Sequence, residues 1–152
     1  MDAKILKQFD IVYVDFPGLT DESVQAGTRP ALIYSNDMCN KYSPTVTVIP
    51  FTTRKKRQMP THLLFSENVA RKYGLKHEST LLAEQITTVS KDRIIDKVGN
   101  VDSIIIRTKI TEKVDVQFAR PVADSFISII TYLEGIGVKN LDDAKKILTG
   151  VA

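Results

Sequence analysis

Short segments rich in β-branched and aromatic residues, separated by turn residues, make up most of the first hundred positions of this chain. Residues of these types favour strands, and short strands with turn signals between them favour a small barrel or sandwich. The pattern predicts five strands, at residues 10–16, 31–35, 45–52, 62–65 and 79–89. The expected fold class is therefore mostly β with helices (α+β), with the strands in a small β-barrel.

Capping and stop residues predict short helices around these strands. Ser66 is a suitable N-cap for a helix that Gly74 would end, and Ser90 for one or two helical turns that reach Lys97. After a possible cap at Asp102, apolar residues recur every four positions, which predicts a helical C-terminal region: Ile106, Ile110 and Val114. The isoleucine run that opens this series would also suit a strand.

Length and composition bound the class of protein. The 152 residues, of which 43% are hydrophobic and 26% charged, fit a single domain over 1–152. Cys39 is the only cysteine, so no internal disulfide is possible. The N-terminal residues have no apolar signal-peptide core, and no apolar run approaches the ~20 residues of a membrane-spanning helix. We therefore expect a cytoplasmic protein with no membrane association.

Positive charge is concentrated in one segment. The formal net charge is +3, yet residues 54–76 carry seven basic residues and one acidic residue, which leaves the rest of the chain net −3. A local excess of this kind can attract a polyanion, although a short basic run is also common in solvated loops. The densest part lies at 54–60, which we name the basic loop, and it begins with Arg54, Lys55, Lys56 and Arg57.

The residue inventory narrows the possible chemistry. The two histidines, His62 and His77, and the single cysteine do not assemble into a zinc site of familiar spacing or a Cys–His nucleophile. The chain has no Gly-rich phosphate loop before a helix, and its adjacent acidic pairs at 21–22 and 142–143 are typical of solvated positions. The sequence therefore predicts no metal and no cofactor.

Cleavage of RNA is one reaction that needs few protein groups, because RNA carries its own nucleophile, the 2′-hydroxyl. A guanidinium offers planar donors to phosphate oxygens, and a hydroxyl can add a further hydrogen bond. Arg29 opens one predicted strand, and Thr52 and Thr53 end another. If the two strands are antiparallel neighbours, these groups meet at one end of the sheet, beside the basic loop, and would form a phosphate pocket.

A series of short motifs occurs along the chain in a fixed order: QAGTRPALI at 25–33, KYSPTV at 41–46, PFTT at 50–53, MPTHL at 59–63 and LLAEQITTVSKDRI at 81–94. Each motif is short, but their order and spacing over about residues 9–98 resemble the MazF/PemK toxins. The remaining part, from about residue 102 to 152, does not share the motifs and is expected to be an atypical C-terminal extension.

The resemblance implies a PemK-like/CcdB-like barrel, usually a homodimer, that is the toxin of a type II toxin–antitoxin system. It implies sequence-specific, metal-independent cleavage of single-stranded RNA to 2′,3′-cyclic phosphate and 5′-hydroxyl ends, which inhibits translation and growth. A cognate antitoxin would neutralise the toxin by occupying the RNA groove.

The resemblance also assigns roles to residues. Arg29 and Thr52 match the family's catalytic arginine and threonine. The family gives the arginine proton transfer as well as phosphate binding, but a guanidinium holds its proton so firmly that it is better suited to electrostatic stabilisation. Glu84 and Gln85 match a pair that can read base edges, whereas His62, on another family motif, is expected to be structural. The predicted RNA-binding residues are Gln25, Thr53, Arg54, Lys55, Lys56, Arg57, Glu84 and Gln85.

Two departures from the family pattern leave alternatives open. Val24 stands where the family often has an acidic residue, and Thr87 stands where it usually has an arginine. One alternative is therefore a catalytically weakened member that binds RNA or a protein partner. Another is a toxin that binds DNA gyrase, as related CcdB-like barrels do, because a fold does not fix a function. The presence of Arg29, Thr52 and the Glu84–Gln85 pair favours RNA over gyrase as the target.

Overall fold

Seven strands of one antiparallel sheet lie between residues 10 and 100. The computed structural model describes residues 5–18, 27–120, 133–140, 142–143 and 146. The chain divides into two compact units, 1–120 and 121–152. In the second unit, the Asn140 side chain accepts hydrogen bonds from two backbone amides, those of Asp142 and Asp143.

The elements of the first unit follow in chain order. They are β1 (Asp10–Phe16), β2 (Gly27–Ile33), α1 (Asp37–Tyr42), β3 (Thr45–Thr52), β4 (His62–Phe65), α2 (Glu67–Lys72), β5 (Ser79–Leu82), β6 (Thr87–Ser90), β7 (Ile94–Asn100) and α3 (Ile104–Gln117). Two 3₁₀ turns, Ala83–Gln85 and Lys91–Arg93, connect β5 to β6 and β6 to β7.

Strand β3 is the centre of the sheet, whose strand order is β4-β5-β3-β2-β1-β7. One edge of β3 pairs with β2. The other edge pairs with β6 along residues 45–48 and with β5 at residues 51–52. The expected mostly β, α+β class is confirmed.

Both faces of the β1–β2–β3 region are buried, because alternate residues of each strand belong to two different apolar clusters. One cluster contains Ile11, Leu32, Ile49 and Phe51, together with residues of α2 and α3. The other contains Val12, Val14, Ala31, Ile33 and Val48, together with Val89 of β6 and Ile94 of β7. These strands therefore form a rigid support for any residue at their ends.

The predicted strand at 79–89 is wrong as a single element. The 3₁₀ turn at 83–85 interrupts it, so that β5 and β6 pair with different parts of β3. The physical reason is tertiary: the amide of Ala83 donates to the carbonyl of Thr61, and the Glu84 carboxylate is bonded to side chains at the start of β4.

Two other predicted boundaries are wrong. The strand predicted at 31–35 is β2, which spans Gly27–Ile33 because it pairs with β1 from Gly27 onward. The helical turns predicted to reach Lys97 end at Arg93, because residues 94–97 pair with β1 instead. The segment between the strands predicted at 31–35 and 45–52 contains α1, whose N-cap is Asn36. The isoleucine run is helical, since α3 starts directly after its cap, Ser103. The boundaries of β1, β3 and β4 are confirmed.

Two glycines allow the end of α2 and strand β7 to approach each other closely. A Cβ atom on Gly99 would lie 2.1 Å from the backbone oxygen of Tyr73, and one on Gly74 would lie 2.2 Å from that of Val98. Gly74 also has a φ of +85°, which disfavours other residues. Backbone atoms cannot rotate away as a side chain can, so neither position tolerates a methyl group without moving the main chain.

We expect Gly99→Ala to lower the free energy of unfolding by about 3 kcal/mol, the upper part of the usual range for overpacking. Gly18→Ala is the control, because a Cβ atom there meets nothing within 4 Å. Chemical denaturation of both variants measures the effect. Equal stability of the two variants would contradict the close approach.

Candidate active site

The end of the β2–β3 pair brings together an arginine and a threonine. The β2–β3 pairing ends where Ala31 of β2 lies opposite Pro50 of β3, and Arg29 and Thr52 each lie two residues beyond this last pair, at the same end of the two strands. The antiparallel pairing that the phosphate pocket requires is therefore confirmed. Arg29 and Thr52 therefore lie at one end of two neighbouring strands, next to the start of the basic loop.

Thr52 is held in place more firmly than a surface threonine. It is 2% exposed, and its hydroxyl oxygen accepts a hydrogen bond of 3.2 Å from the amide of Arg54. A hydroxyl that accepts one bond still carries a hydrogen to donate. On its other side Thr52 lies opposite Thr80 of β5, which the sequence alone did not single out. Arg29, Thr52 and Thr80 thus lie on three neighbouring strands, β2, β3 and β5.

The basic loop begins two residues after Thr52, the last residue of β3. The side chains of Arg54, Lys55, Lys56 and Arg57 are exposed, as is Thr53. Within the described part of the chain, no acidic side chain forms an ion pair with any of these four cations. Their charge is therefore directed at solvent, next to the Arg29–Thr52 pair.

A polar cluster lies where the chain leaves the basic loop. The hydroxyl of Thr61 donates to one oxygen of Glu84 at 2.8 Å, and Nε2 of His62 lies 2.8 Å from the other oxygen. The side chains of His62 and Glu84 are 1% and 21% exposed. We name these three residues the Thr61–His62–Glu84 cluster. His62, expected to be structural, is buried in it.

The charge of Glu84 is stabilised inside this cluster. Burial by itself would raise the pKa of the carboxyl. The hydrogen bonds from His62, from the backbone amide of Glu84 and from Thr61 outweigh burial, and they hold the pKa of Glu84 below its ordinary value. The ionised carboxylate is therefore the form that the cluster favours.

The remaining predicted residues lie in three settings. Gln85 is half-buried in the 3₁₀ turn that also contains Glu84. Thr87, in place of the usual arginine, is exposed and lies opposite Val48. Gln25 and Val24 lie outside the described residues.

The described residues contain neither a cluster of metal ligands nor a membrane-spanning helix. No three His, Cys, Asp or Glu side chains in that part of the chain lie close enough together to hold a metal ion. None of its helices is both long and apolar enough to cross a membrane.

Comparison with known proteins gives consistent matches. The model of the PemK-like, MazF-like toxins of type II toxin–antitoxin systems matches residues 7–118. The chain is 34% identical to endoribonuclease EndoA of Bacillus subtilis over 116 residues, which cover 76% of this chain and 96% of the relative. It is 45% identical to endoribonuclease MazF of Staphylococcus saprophyticus over 76 residues, covering 49% and 61% of the two chains.

A solved structure supports the fold. A mycobacterial endoribonuclease in complex with its cognate antitoxin superposes with a TM-score of 0.61 at 22% identity, covering 77% of this chain and 98% of that chain. The family match also extends beyond residue 98, where the motifs end, and includes α3. Since the match spans most of the chain and a curated relative aligns over nearly its whole length, the chain belongs to the family of PemK-like, MazF-like toxins of type II toxin–antitoxin systems.

Proposed function

We propose that this protein is an endoribonuclease that cleaves single-stranded RNA at short sequence motifs, without a metal, and thereby inhibits translation and growth in the cytoplasm. The observation that carries the proposal is the position of Arg29 and Thr52 on neighbouring strands, directly before the basic loop. The names of two relatives, EndoA and MazF, support the same activity.

The proposed mechanism uses the substrate's own hydroxyl. The 2′-oxygen attacks the adjacent phosphorus, the bond to the 5′-oxygen breaks, and the products are a 2′,3′-cyclic phosphate and a 5′-hydroxyl. The proton lost from the 2′-hydroxyl is balanced by one gained at the 5′-oxygen. Arg29 would bind two non-bridging oxygens, whose negative charge grows in the transition state, and Thr52 would donate a further hydrogen bond.

One incubation tests this function. The protein is mixed with a long single-stranded RNA and excess EDTA, and the new ends are mapped. Discrete cuts with 2′,3′-cyclic phosphate ends support the proposal. If folded protein leaves every RNA intact, the proposal is wrong. Thr87 would then favour a weakened member that binds RNA or a partner, and a DNA gyrase assay would test the CcdB-like alternative.

The basic loop is proposed to bind the RNA backbone, which makes affinity depend on salt. Each phosphate contact on a single strand contributes about 0.7 to the slope of log affinity against log salt concentration. We expect the Lys55→Gln/Lys56→Gln double variant to reduce this slope by about 1.4 for a non-cleavable 2′-deoxy oligonucleotide. Lys109→Gln/Lys113→Gln in α3 removes the same charge elsewhere. An equal reduction by both double variants would contradict a specific role for the loop.

The proposed protein partners are a cognate antitoxin and a second copy of this chain. One structural neighbour is an endoribonuclease solved in complex with its antitoxin. An acidic, disordered antitoxin segment could bind along the basic loop and exclude RNA by charge. Co-expression with the cognate antitoxin is expected to abolish cleavage, and light scattering measures the homodimer.

A further inference from the structure

The basic loop is anchored at both of its ends by hydrogen bonds, while its cations face solvent. At its beginning, the amide of Arg54 donates to the hydroxyl of Thr52. At its end, the amide of His62 donates to the carbonyl of Met59 at 2.9 Å, and the amide of Ala83 donates to the carbonyl of Thr61 at 3.2 Å. The second anchor therefore joins the end of the basic loop to the 3₁₀ turn at 83–85.

Glu84 completes this second anchor with its side chain. Its two carboxylate oxygens are bonded to two successive residues, Thr61 and His62, each at 2.8 Å. His62 is almost fully buried, so its ring nitrogen has no access to water that could replace the carboxylate. A nucleobase that took a hydrogen bond from Glu84 would have to compete with these internal donors. The geometry thus opposes a direct role in reading bases.

We propose that Glu84 is a positioning residue, which fixes the exit of the basic loop relative to the turn that carries Gln85, so that the loop cations and Gln85 present a preformed groove to single-stranded RNA. This inference rests on the proposed endoribonuclease function. Preforming a groove lowers the entropic cost of binding, which affects substrate affinity more than chemistry at the scissile phosphate. Arg29 and Thr52 lie on β2 and β3, outside the cluster, so we expect their positions to be unchanged when the cluster is removed.

The proposal predicts a specific split in the kinetic constants. Glu84→Ala removes the side-chain part of the anchor, and we expect KM for RNA to rise about tenfold, equivalent to about 1.4 kcal/mol, while kcat changes less than threefold. Glu84→Gln can accept from Thr61 and donate to a neutral His62, so it should restore most of the affinity. Both variants should cut at the wild-type motif.

Direct base reading by Glu84 predicts the opposite pattern. Replacing a carboxylate acceptor by an amide would then change the cleavage motif in Glu84→Gln as well as in Glu84→Ala. A changed motif in Glu84→Gln, or a wild-type KM in Glu84→Ala, would overturn the positioning role. If Glu84→Ala does not fold, as judged by circular dichroism, Thr61→Val removes one contact at nearly constant volume and should raise KM in the same direction.

The outcomes separate this inference from the function on which it rests. If the wild-type protein cleaves no RNA, the proposed endoribonuclease function is wrong. If the wild-type protein cleaves RNA and the Glu84 variants show no rise in KM, the function is supported and the positioning role alone is overturned. A rise in KM with an unchanged motif, reversed by Glu84→Gln, supports both.

Discussion

Arg29→Ala is expected to slow cleavage of single-stranded RNA by about a thousandfold or more, with little change in melting temperature. The guanidinium would be the main cationic group at the scissile phosphate, and removal of one preorganised donor from a developing oxyanion typically costs about a hundredfold to a thousandfold. Arginines that stabilise phosphoryl-transfer transition states contribute about 10³ to 10⁵ in rate. Single-turnover cleavage of a short RNA, at saturating protein, measures the effect.

Two further variants test whether the loss of rate is specific to the guanidinium of Arg29. Arg29→Lys keeps the charge but loses the planar pair of donors, so its rate should lie between those of wild type and Arg29→Ala. Arg93→Ala removes an exposed cation that forms an ion pair with Asp15, and it should cleave at close to the wild-type rate. Wild-type cleavage by folded Arg29→Ala would refute the assignment of Arg29 as the phosphate clamp.

The antiparallel arrangement of the strands that carry Arg29 and Thr52 could be predicted because it depends on local signals. A β-branched run ends at Thr52, where β3 also ends, and sequential strands commonly pair as antiparallel neighbours. The strand boundaries of β1, β3 and β4 followed from the same kind of signal. Short-range sequence patterns thus sufficed for the edge of the sheet that holds the candidate site.

The parts that were predicted wrongly depend on contacts between residues far apart in the chain. The break in the strand at 79–89 depends on bonds between Glu84 and residues 61–62, more than twenty positions away. Residues 94–97 are extended because they pair with β1, more than eighty positions earlier. Ser90 was a sound capping signal, but local propensity could not show where the 3₁₀ turn stops.

A buried charge network at the start of β1 is another feature that could not be predicted from the sequence. The Asp10 side chain is fully buried and lies 2.9 Å from Nζ of Lys97 in β7. It also accepts hydrogen bonds from the amide of Lys7 at 2.7 Å and from the side chain of Asn100 at 2.8 Å. Arg107 of α3 then donates to Asn100 at 3.3 Å. One carboxylate therefore connects the N-terminal segment, β1, β7 and, through Asn100, α3.

We expect Asp10→Ala to lower the free energy of unfolding by about 3 kcal/mol, because removal of one partner from a buried ion pair leaves the remaining polar groups uncompensated. The Lys97 side chain is 40% exposed and can turn to water. The expected loss of stability is therefore at the lower end of the usual range for breaking a buried ion pair. The amide of Lys7 and the side chain of Asn100 lose their acceptor as well. For a unit of this size, we expect the melting temperature to fall by about 10 °C.

Asp15→Ala is the matched control, because Asp15 lies on the same strand but its side chain is 57% exposed and its contact with Arg93 is long, at 3.7 Å. Exposed pairs of this kind contribute little, so we expect a change within about 0.5 kcal/mol. Asp10→Asn, which keeps the shape and loses the charge, should fall between the two variants. Urea denaturation with a common m-value ranks all three. Equal stability of Asp10→Ala and Asp15→Ala would show that the buried carboxylate does not hold these segments together.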